Sequence, residues 1–308
     1  MTQAAAQSSA SATADVIVVG AGPAGSSAAY HMATLGLDVI LLEKQELGRD
    51  KVCGDGLTPS AVRELVSMGM DTTGWQRNRG LRVIGGGHLL HFPWPEQASF
   101  PSYGMARPRA LLDRDLAEHA AAAGARLLTG VTVTGPVTSP TGRVTGVEAR
   151  PTNRVAYPGI EGPTTFTAPL VVDAGGVSAR LATAVGRTKN ERRPMGVAVR
   201  AYFRSPRAKD AWMESRLELW DGTPGKSDLL PGYGWIWSVG EGLVNVGLGS
   251  VSSRAQATAI DYRAVFNRWM DNVPASWGFT KENQVGGLVS AALPMAFNRK
   301  PHYADGLM

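Results

Sequence analysis

The sequence contains a single cysteine, Cys53, and only five histidines in 308 residues. One cysteine excludes an internal disulfide and a cysteine-cluster metal site, so we predict no metal and a reducing, cytoplasmic location. No apolar run approaches the roughly 18 residues that a membrane-spanning helix needs. Residues 1–14 lack both a basic start and an apolar core, and we expect a disordered leader there rather than a signal peptide.

Charge is also scarce. Charged residues make up 19% of the chain and hydrophobic residues 44%, a composition typical of a globular protein with a sizeable core. The formal net charge is +5, and the basic residues are scattered along the sequence. This distribution gives no specific indication of nucleic acid. It is compatible with a phosphate-bearing ligand, or with peripheral contact at the anionic inner face of the cell membrane.

The stretch from Asp15 to Glu43 is the most informative in the chain. An apolar run at 16–19 predicts a buried strand, and GAGPAG at 20–25 matches the pattern G-x-G-x-x-G. Small residues and helix formers follow as far as Gly36, and a second apolar run at 39–42 ends at Glu43. Strand, glycine turn, helix, strand and acid in this order predict a dinucleotide-binding βαβ unit. The alternative is an ordinary βαβ turn.

Each element of that pattern has a physical role. Gly20 permits a tight turn, Gly22 allows the backbone to approach a pyrophosphate, and Gly25 allows helix and strand to pack closely. The helix N-terminus offers free N–H groups and a positive dipole to phosphate, and Glu43 is placed to accept bonds from ribose hydroxyls. The dinucleotide contacts predicted in this stretch are Gly20, Gly22, Pro23, Ala24, Gly25, Glu43 and Lys44.

A second strand followed by glycines occurs at 170–176, where Asp173 ends the apolar run and Gly175 follows. Such a turn is suited to close backbone approach to a cofactor, although an ordinary loop is the alternative. A separate stretch at 44–59 is polar and rich in glycine, and it contains Cys53-Gly54-Asp55-Gly56. We expect this stretch to be a loop.

The pattern of the chain divides it into two interleaved modules. Residues 15–80 and 105–186 form the predicted nucleotide module, and residues 81–104 and 187–300 form a predicted antiparallel-sheet module for substrate. The predicted helices lie at 60–69, 109–123 and 262–270. Strands of the second module are expected at 197–203, 216–220, 234–239, 243–249 and 288–295.

Two motifs outside the glycine turn resemble FAD-dependent reductases of the geranylgeranyl reductase family, a branch of the hydroxylase-like flavoproteins. Residues 51–56 (KVCGDG) resemble the family's Cys-Gly-Asp loop near the isoalloxazine, and 233–237 (YGWIW) resemble its aromatic strand facing the substrate. Arg109, at the head of R-x-x-L-D, resembles the arginine that reaches the flavin nucleotide. The resemblance implies an α/β fold: a Rossmann-like, FAD/NAD(P)-binding domain with an inserted antiparallel-sheet substrate domain.

Within that family, the segments 102–104, 231–233 and 244–247 are most similar to the bacterial branch that saturates one isoprene unit of the menaquinone tail. The resemblance therefore implies FAD as cofactor, a prenylated lipid as substrate, and hydride transfer from reduced flavin to an isolated alkene. It indicates no particular electron donor. The implied catalytic residues are Cys53, Tyr233 and Trp235, and the further implied cofactor contacts are Cys53, Gly54, Asp55, Gly56, Arg109, Asp173 and Gly175.

Three features depart from the family pattern. Asp173 stands one place early in the motif Ala-Asp-Gly-x-x-Ser, and Trp237-Ser238 replaces the usual Phe-Pro. The chain stops at Met308, where relatives continue into a strand ending in Gly-Asp. We therefore expect a fragment, with residues 301–308 beginning a missing C-terminal portion.

Two other functions stay open at this point. Residues 234–239 (GWIWSV) also resemble the halogenase pattern Gly-Trp-x-Trp-x-Ile, so a flavin-dependent aromatic monooxygenase or halogenase is the first alternative. The Cys53 loop favours the reductase. The second alternative is a non-catalytic fragment that binds adenine nucleotide or lipid without turnover.

Overall fold

The structure is a computed structural model that describes residues 11–152, 162–188, 194–252, 260–294 and 301–308. The predicted leader residues 1–10 and the end of the strand predicted at 288–295 lie outside these ranges. The chain forms two compact units. The nucleotide unit contains Met1–Arg49, Ala110–Asn190 and Phe297–Met308, and the sheet unit contains Asp50–Arg109 and Glu191–Ala296.

The described residues contain the following strands, in chain order. They are β1 (Ser11–Thr13), β2 (Val16–Val19), β3 (Val39–Leu42), β4 (Gly56–Leu57), β5 (Gln76–Asn78), β6 (Gly80–Gly85), β7 (His88–Pro93), β8 (Gly104–Ala106), β9 (Arg126–Leu128), β10 (Val131–Thr138), β11 (Val144–Pro151), β12 (Thr164–Thr167), β13 (Leu170–Asp173), β14 (Met195–Arg204), β15 (Trp212–Arg216), β16 (Leu219–Trp220), β17 (Leu229–Leu230), β18 (Gly232–Gly240), β19 (Leu243–Ser252) and β20 (Gln284–Pro294). The described α-helices are α1 (Pro23–Thr34), α2 (Pro59–Ser67), α3 (Arg109–Ala122), α4 (Leu181–Ala184) and α5 (Tyr262–Met270).

In the nucleotide unit, four parallel strands form a sheet in the order β13-β2-β3-β9. Every residue of β3 is buried, as expected for a parallel strand covered on both faces. The crossover from β2 to β3 runs through α1, so the predicted βαβ unit is present. A second sheet, in the order β1-β12-β11-β10, packs its apolar side chains with those of the first around Ile17, Val171 and Phe166.

The start and the end of the described chain both join this unit. Ser11–Thr13 pairs in parallel with Thr165–Thr167, so the prediction of a disordered leader through residue 14 is wrong for these residues. The backbone of β12 supplies the hydrogen-bond partners of this strand, and the sequence of residues 11–13 gives no sign of them. At the other end, Leu307 forms a parallel bridge with Val171 and is buried against the same core.

In the sheet unit, seven strands lie in the order β20-β14-β19-β18-β15-β6-β7. Neighbours are antiparallel except β15 and β6, which run parallel. One face of this sheet packs against α5 through Val265 and Trp269. The opposite face carries Trp235, Trp237 and Met213, which cluster with one another.

The compact units divide residues 50–80 and 105–109 differently from the predicted modules. These residues lie in the sheet unit because β4 and β5 both pair with β8, and because β6 pairs with β15. A further difference concerns the strand predicted at 216–220. The chain forms β15 and β16 instead, and it leaves β15 after Leu217 N–H donates to the Ile84 carbonyl. Within the described residues no helix is long and apolar enough to cross a membrane.

Candidate functional site

The glycine turn between β2 and α1 is sterically closed to side chains. An ideal Cβ on Gly25 would lie 1.9 Å from the Gly20 carbonyl oxygen, so the helix packs directly on the turn. Gly20 has φ +101°, a conformation that favours glycine, and a Cβ there would lie 2.6 Å from the Ala174 carbonyl oxygen. Gly22 is the N-cap of α1 and Pro23 fills its first position. No side chain caps the first turn of α1 with a hydrogen bond, so its backbone N–H groups are not satisfied by a capping residue.

Glu43 lies against this turn from the end of β3. Its Oε2 accepts a hydrogen bond from Ala21 N–H at 3.0 Å, and its Oε1 accepts one from Gln45 N–H at 3.0 Å. These bonds fix the carboxylate beside the glycine turn, where the sequence placed the ribose contact. Lys44 follows as an exposed residue.

The second glycine turn packs beside the first. Asp173 Oδ1 accepts from Gly175 N–H at 3.2 Å, and its Oδ2 accepts from Ala182 N–H at 3.1 Å. An ideal Cβ on Gly175 would lie only 3.0 Å from Asp173 Oδ1. Asp173 therefore organises the loop between β13 and α4 by binding its backbone, and a direct contact with cofactor stays a prediction.

These residues fit a bound dinucleotide phosphate. Glycine at positions 20 and 25 lets β2, α1 and the loop after β13 pack closely around the turn, and α1 directs its N-terminus there. The nucleotide unit thus brings together the contacts predicted at 20–25, 43–44, 173 and 175.

In the sheet unit, the loop at 53–56 lies on the aromatic face of the sheet. Trp237 Nε1 donates to the Gly54 carbonyl oxygen at 2.6 Å, and an ideal Cβ on Gly54 would lie 2.8 Å from Trp237 Cζ2. At Gly56 a Cβ would lie 2.3 Å from Met213 Cε. A side chain at position 54 would therefore clash with the indole ring of Trp237, whereas the terminal methyl of Met213 at position 56 belongs to a flexible side chain that can move.

Asp55 anchors this loop. The residue is 1% exposed and has φ +63°, which is unusual for a residue other than glycine. Its Oδ2 accepts from Tyr202 Oη at 2.5 Å and from Asn245 Nδ2 at 2.8 Å, while Oδ1 accepts from Arg109 N–H at 3.1 Å. Burial raises the pKa of the Asp55 carboxyl, and the hydrogen bonds from Tyr202 and Asn245 offset only part of the rise.

Asn245 joins the loop to the aromatic strand. Its Nδ2 donates to the Cys53 carbonyl oxygen at 2.9 Å as well as to Asp55, and its Oδ1 accepts from Trp235 Nε1 at 2.8 Å. One fully buried amide therefore fixes both the loop and the indole ring of Trp235.

Sequence reasoning missed Tyr202, Asn245 and Arg200 as site residues. Arg200 is 1% exposed, donates to the Lys51 carbonyl oxygen at 3.0 Å and pairs with Asp50. Its guanidinium lies 4.1 Å from the centre of the Tyr202 ring. The available signal was a polar residue at an inward position of an otherwise apolar strand, as in Val199-Arg200-Ala201 and Val244-Asn245-Val246.

The predicted catalytic residues lie together on this face. The rings of Tyr233 and Trp235 have centroids 5.9 Å apart, and those of Trp235 and Trp237 are stacked at 6.0 Å. Burial, with a smaller contribution from Cys53, raises the pKa of the Tyr233 hydroxyl. Cys53 has a free, partly buried thiol whose Sγ accepts from Asp55 N–H at 3.3 Å. Their catalytic roles stay predictions.

The position of Trp235 depends on Gly247, and this can be tested. An ideal Cβ on Gly247 would lie 2.3 Å from Trp235 Cζ2 and 2.7 Å from the Val199 carbonyl oxygen. We expect Gly247→Ala to displace the indole, changing near-ultraviolet circular dichroism and lowering the free energy of unfolding by about 2 kcal/mol. Gly249→Ala is the matched control because its Cβ would lie 3.5 Å from Trp235, an ordinary contact. Equal effects of the two substitutions would contradict this account.

A match to a known protein family supports nucleotide binding by the turn at 20–25. The FAD binding domain family matches residues 13–258, and the chain belongs to that family. The predicted fold class and FAD as cofactor are thereby confirmed.

Comparison with individual proteins shows more specific similarities. The chain is 39% identical over 286 residues to menaquinone reductase from Mycolicibacterium smegmatis, covering 92% of this chain and 65% of that protein. Its fold is similar to a geranylgeranyl bacteriochlorophyll reductase-like protein from Thermoplasma acidophilum, with 25% identity, a TM-score of 0.77 and coverage of 97% and 70%. The myxobacterial chondrochloren halogenase has 22% identity, a TM-score of 0.72 and coverage of 96% and 67%, a likeness of fold alone.

Proposed function

We propose that this chain provides the FAD-binding and substrate-binding parts of a reductase that saturates an isolated C=C bond in an isoprenoid chain. The menaquinone tail is the favoured substrate, because the relative from Mycolicibacterium smegmatis is named menaquinone reductase. The chain spans 65% of that relative's length. The observation that carries the proposal is the Cys53–Gly56 loop fixed on the Trp235–Trp237 strand through Asn245.

We propose cofactor contacts in each unit separately. In the nucleotide unit we assign the pyrophosphate to the turn at 20–25 and the N-terminus of α1, and the ribose to Glu43. In the sheet unit we assign Cys53 and Gly54 to the neighbourhood of the flavin ring. Bound, reduced flavin supplies the hydride.

The residues of this chain contribute orientation and a dry surface. An isolated alkene has no carbonyl group that a hydrogen bond could polarise, so rate must come from position and from exclusion of water. Trp235 and Trp237 are both largely buried and rigidly held by hydrogen bonds from their indole N–H groups, which makes them a fixed apolar platform. We propose that the alkene is oriented at the accessible end of this platform, where Trp235 meets the 44% exposed ring of Tyr233.

The second alkene carbon needs a proton, and two groups beside the platform carry one. The Tyr233 hydroxyl is the first, and burial raises its pKa above the ordinary value. The Cys53 thiol is the other group, and it lies in the same loop as the anchored Asp55. We propose that Tyr233 Oη and Cys53 Sγ are the atoms from which the protein can donate this proton.

We also propose that the protein reaches a lipid substrate through peripheral contact with a membrane.

An anaerobic turnover experiment tests the proposed function. The protein is loaded with FAD, reduced with dithionite and incubated with menaquinone, and the products are analysed by mass spectrometry. We expect a menaquinone whose tail has gained two hydrogen atoms. Hydroxylated or halogenated aromatic product formed only with oxygen would favour the monooxygenase or halogenase instead. FAD binding without any product would favour a non-catalytic binding fragment.

A further inference from the structure

The outer strands of the seven-stranded sheet carry exposed apolar side chains on the same face as the aromatic platform. Strand register places Trp235 opposite Ser215, Ser215 opposite Val83, and Val83 opposite Leu90. Side chains opposite one another in paired strands lie on one face of the sheet. A row of side chains therefore crosses four strands from the platform to the sheet edge.

A second row runs beside the first. Met213 is opposite Leu81, and Leu81 is opposite Phe92. Leu81 packs against the cluster that contains Trp235, Trp237 and Met213. Leu217 lies over Gly85 on the same face, since an ideal Cβ on Gly85 would be 3.2 Å from the Leu217 Cβ. We name Leu81, Val83, Leu90, Phe92 and Leu217 the hairpin strip.

Exposure increases from the buried aromatic face to the outer residues of the hairpin strip. Trp235 is 5% exposed and Met213 8%, whereas Leu90 is 51% exposed, Phe92 50% and Leu217 52%. The loop at 53–56 covers the sheet at Trp237 and Met213. Exposed leucine and phenylalanine on an edge strand are a liability for a soluble protein unless something covers them.

We infer that the hairpin strip seats the distal part of a long isoprenoid chain whose reacting alkene lies at the aromatic platform. This inference rests on the proposed function and adds a basis for chain-length selection. All five strip residues are hydrocarbon side chains, matching an uncharged hydrocarbon ligand. The distance from Trp235 to Leu90 is three strand spacings, roughly 14 Å, which accommodates more than one isoprene unit.

The dimensions of the strip favour a chain over a protein partner. A stable protein interface uses about 20–30 residues on each side. The strip offers only five side chains, in two adjacent rows, and it is continuous with the platform through Leu81. A narrow apolar strip leading from a buried cluster to a sheet edge suits a flexible hydrocarbon.

Binding of geranylgeraniol and of the shorter geraniol tests the inference, with tryptophan fluorescence as the readout and no need for turnover. The double variant Leu90→Ser/Phe92→Ser is expected to bind geranylgeraniol about tenfold more weakly than wild type, with geraniol binding unchanged. Leu89→Ser is the matched control, because Leu89 is 55% exposed on the same strand but lies opposite Ile84 on the other face. It should leave both affinities unchanged.

Several results would overturn the inference. Unchanged geranylgeraniol affinity in the double variant, or an equal loss in Leu89→Ser, would remove the strip as a binding surface. If sedimentation shows a wild-type oligomer that the double variant dissociates, the strip is a self-interface. If the double variant loses binding to phosphatidylcholine vesicles free of isoprenoid, the strip contacts bilayer.

Failure of the proposed function has a separate signature. A wild-type protein that reduces no isoprenoid alkene, yet binds geranylgeraniol through Leu90 and Phe92, refutes the reductase and retains the strip. A protein that reduces geraniol and geranylgeraniol alike, with no effect of the double variant on either, retains the reductase and refutes the strip.

Discussion

Gly25→Ala is expected to abolish tight FAD binding. The new methyl group would lie 1.9 Å from the Gly20 carbonyl oxygen and 3.1 Å from the Ala174 Cβ, so α1 must move away from the turn. Such movement withdraws the helix N-terminus from the phosphates. We expect FAD affinity to fall by about 100-fold, equivalent to roughly 2.7 kcal/mol. Titration of the protein with FAD, followed by flavin fluorescence, measures the change.

The control for this experiment is Gly135→Ala, in β10 of the same unit. An ideal Cβ at Gly135 meets no atom within 4 Å, and its φ lies outside the left-handed region. Its effect on FAD affinity should be negligible. Wild-type affinity in Gly25→Ala would show that the flavin is bound somewhere other than the glycine turn.

The second large effect is expected at Asp55. Asp55→Ala removes this buried acceptor from the Tyr202 hydroxyl and the Arg109 backbone N–H, and it leaves the Asn245 amide nitrogen with only the Cys53 carbonyl oxygen. Each unsatisfied buried donor costs about 1–3 kcal/mol, so we expect the free energy of unfolding to fall by roughly 3–5 kcal/mol. Urea unfolding measures this change. Asp55→Asn should lose less, because asparagine retains one acceptor and tolerates the positive φ.

Asp55→Gly separates the side chain from the backbone. Glycine adopts φ +63° without strain, so this variant removes only the carboxylate. We expect it to be more stable than Asp55→Ala but well below wild type. Recovery of full stability in Asp55→Gly would mean that the hydrogen bonds of the carboxylate contribute nothing.

The pH dependence of stability supplies an independent measurement. The pKa of Asp55 is raised above its ordinary value of 3.8 in the folded protein, chiefly by burial. The folded state therefore holds this proton more strongly than the unfolded state. The corresponding stabilisation is complete below the unfolded pKa and is lost as pH rises through the folded pKa. In Asp55→Asn this decline should be absent.

Local patterns predicted the fold where the determining interactions are close in sequence. The βαβ unit was predicted from one continuous stretch, because Glu43 meets the glycine turn only 22 positions away. The helix predicted at 262–270 has those bounds in the structure, and Asp261 caps it by accepting from Arg263 and Ala264 N–H. Short-range geometry and capping act within the same few residues that the sequence displays.

Long-range contacts account for what was missed. Residues 11–13 form a strand only because β12 lies beside them, and nothing in Ser-Ala-Thr indicates that partner. Asp55 and Asn245 are 190 positions apart, and Asp55 and Tyr202 are 147 apart. The loop motif at 51–56 was visible, whereas the buried polar network that anchors it became visible only when three strands came together.

The bridge between Val171 and Leu307 bears on how the protein reaches its native state. Backbone bonds join Val171 to Gly306 and Asp173 to Met308, and Arg143 pairs with Asp305, 162 positions further along the chain. Closing a loop of this length costs conformational entropy, and contacts between such distant residues make folding slower. The second segment of the sheet unit lies inside that loop. Early folding of this segment would shorten the effective loop, so assembly of the nucleotide unit should be kinetically coupled to the sheet unit.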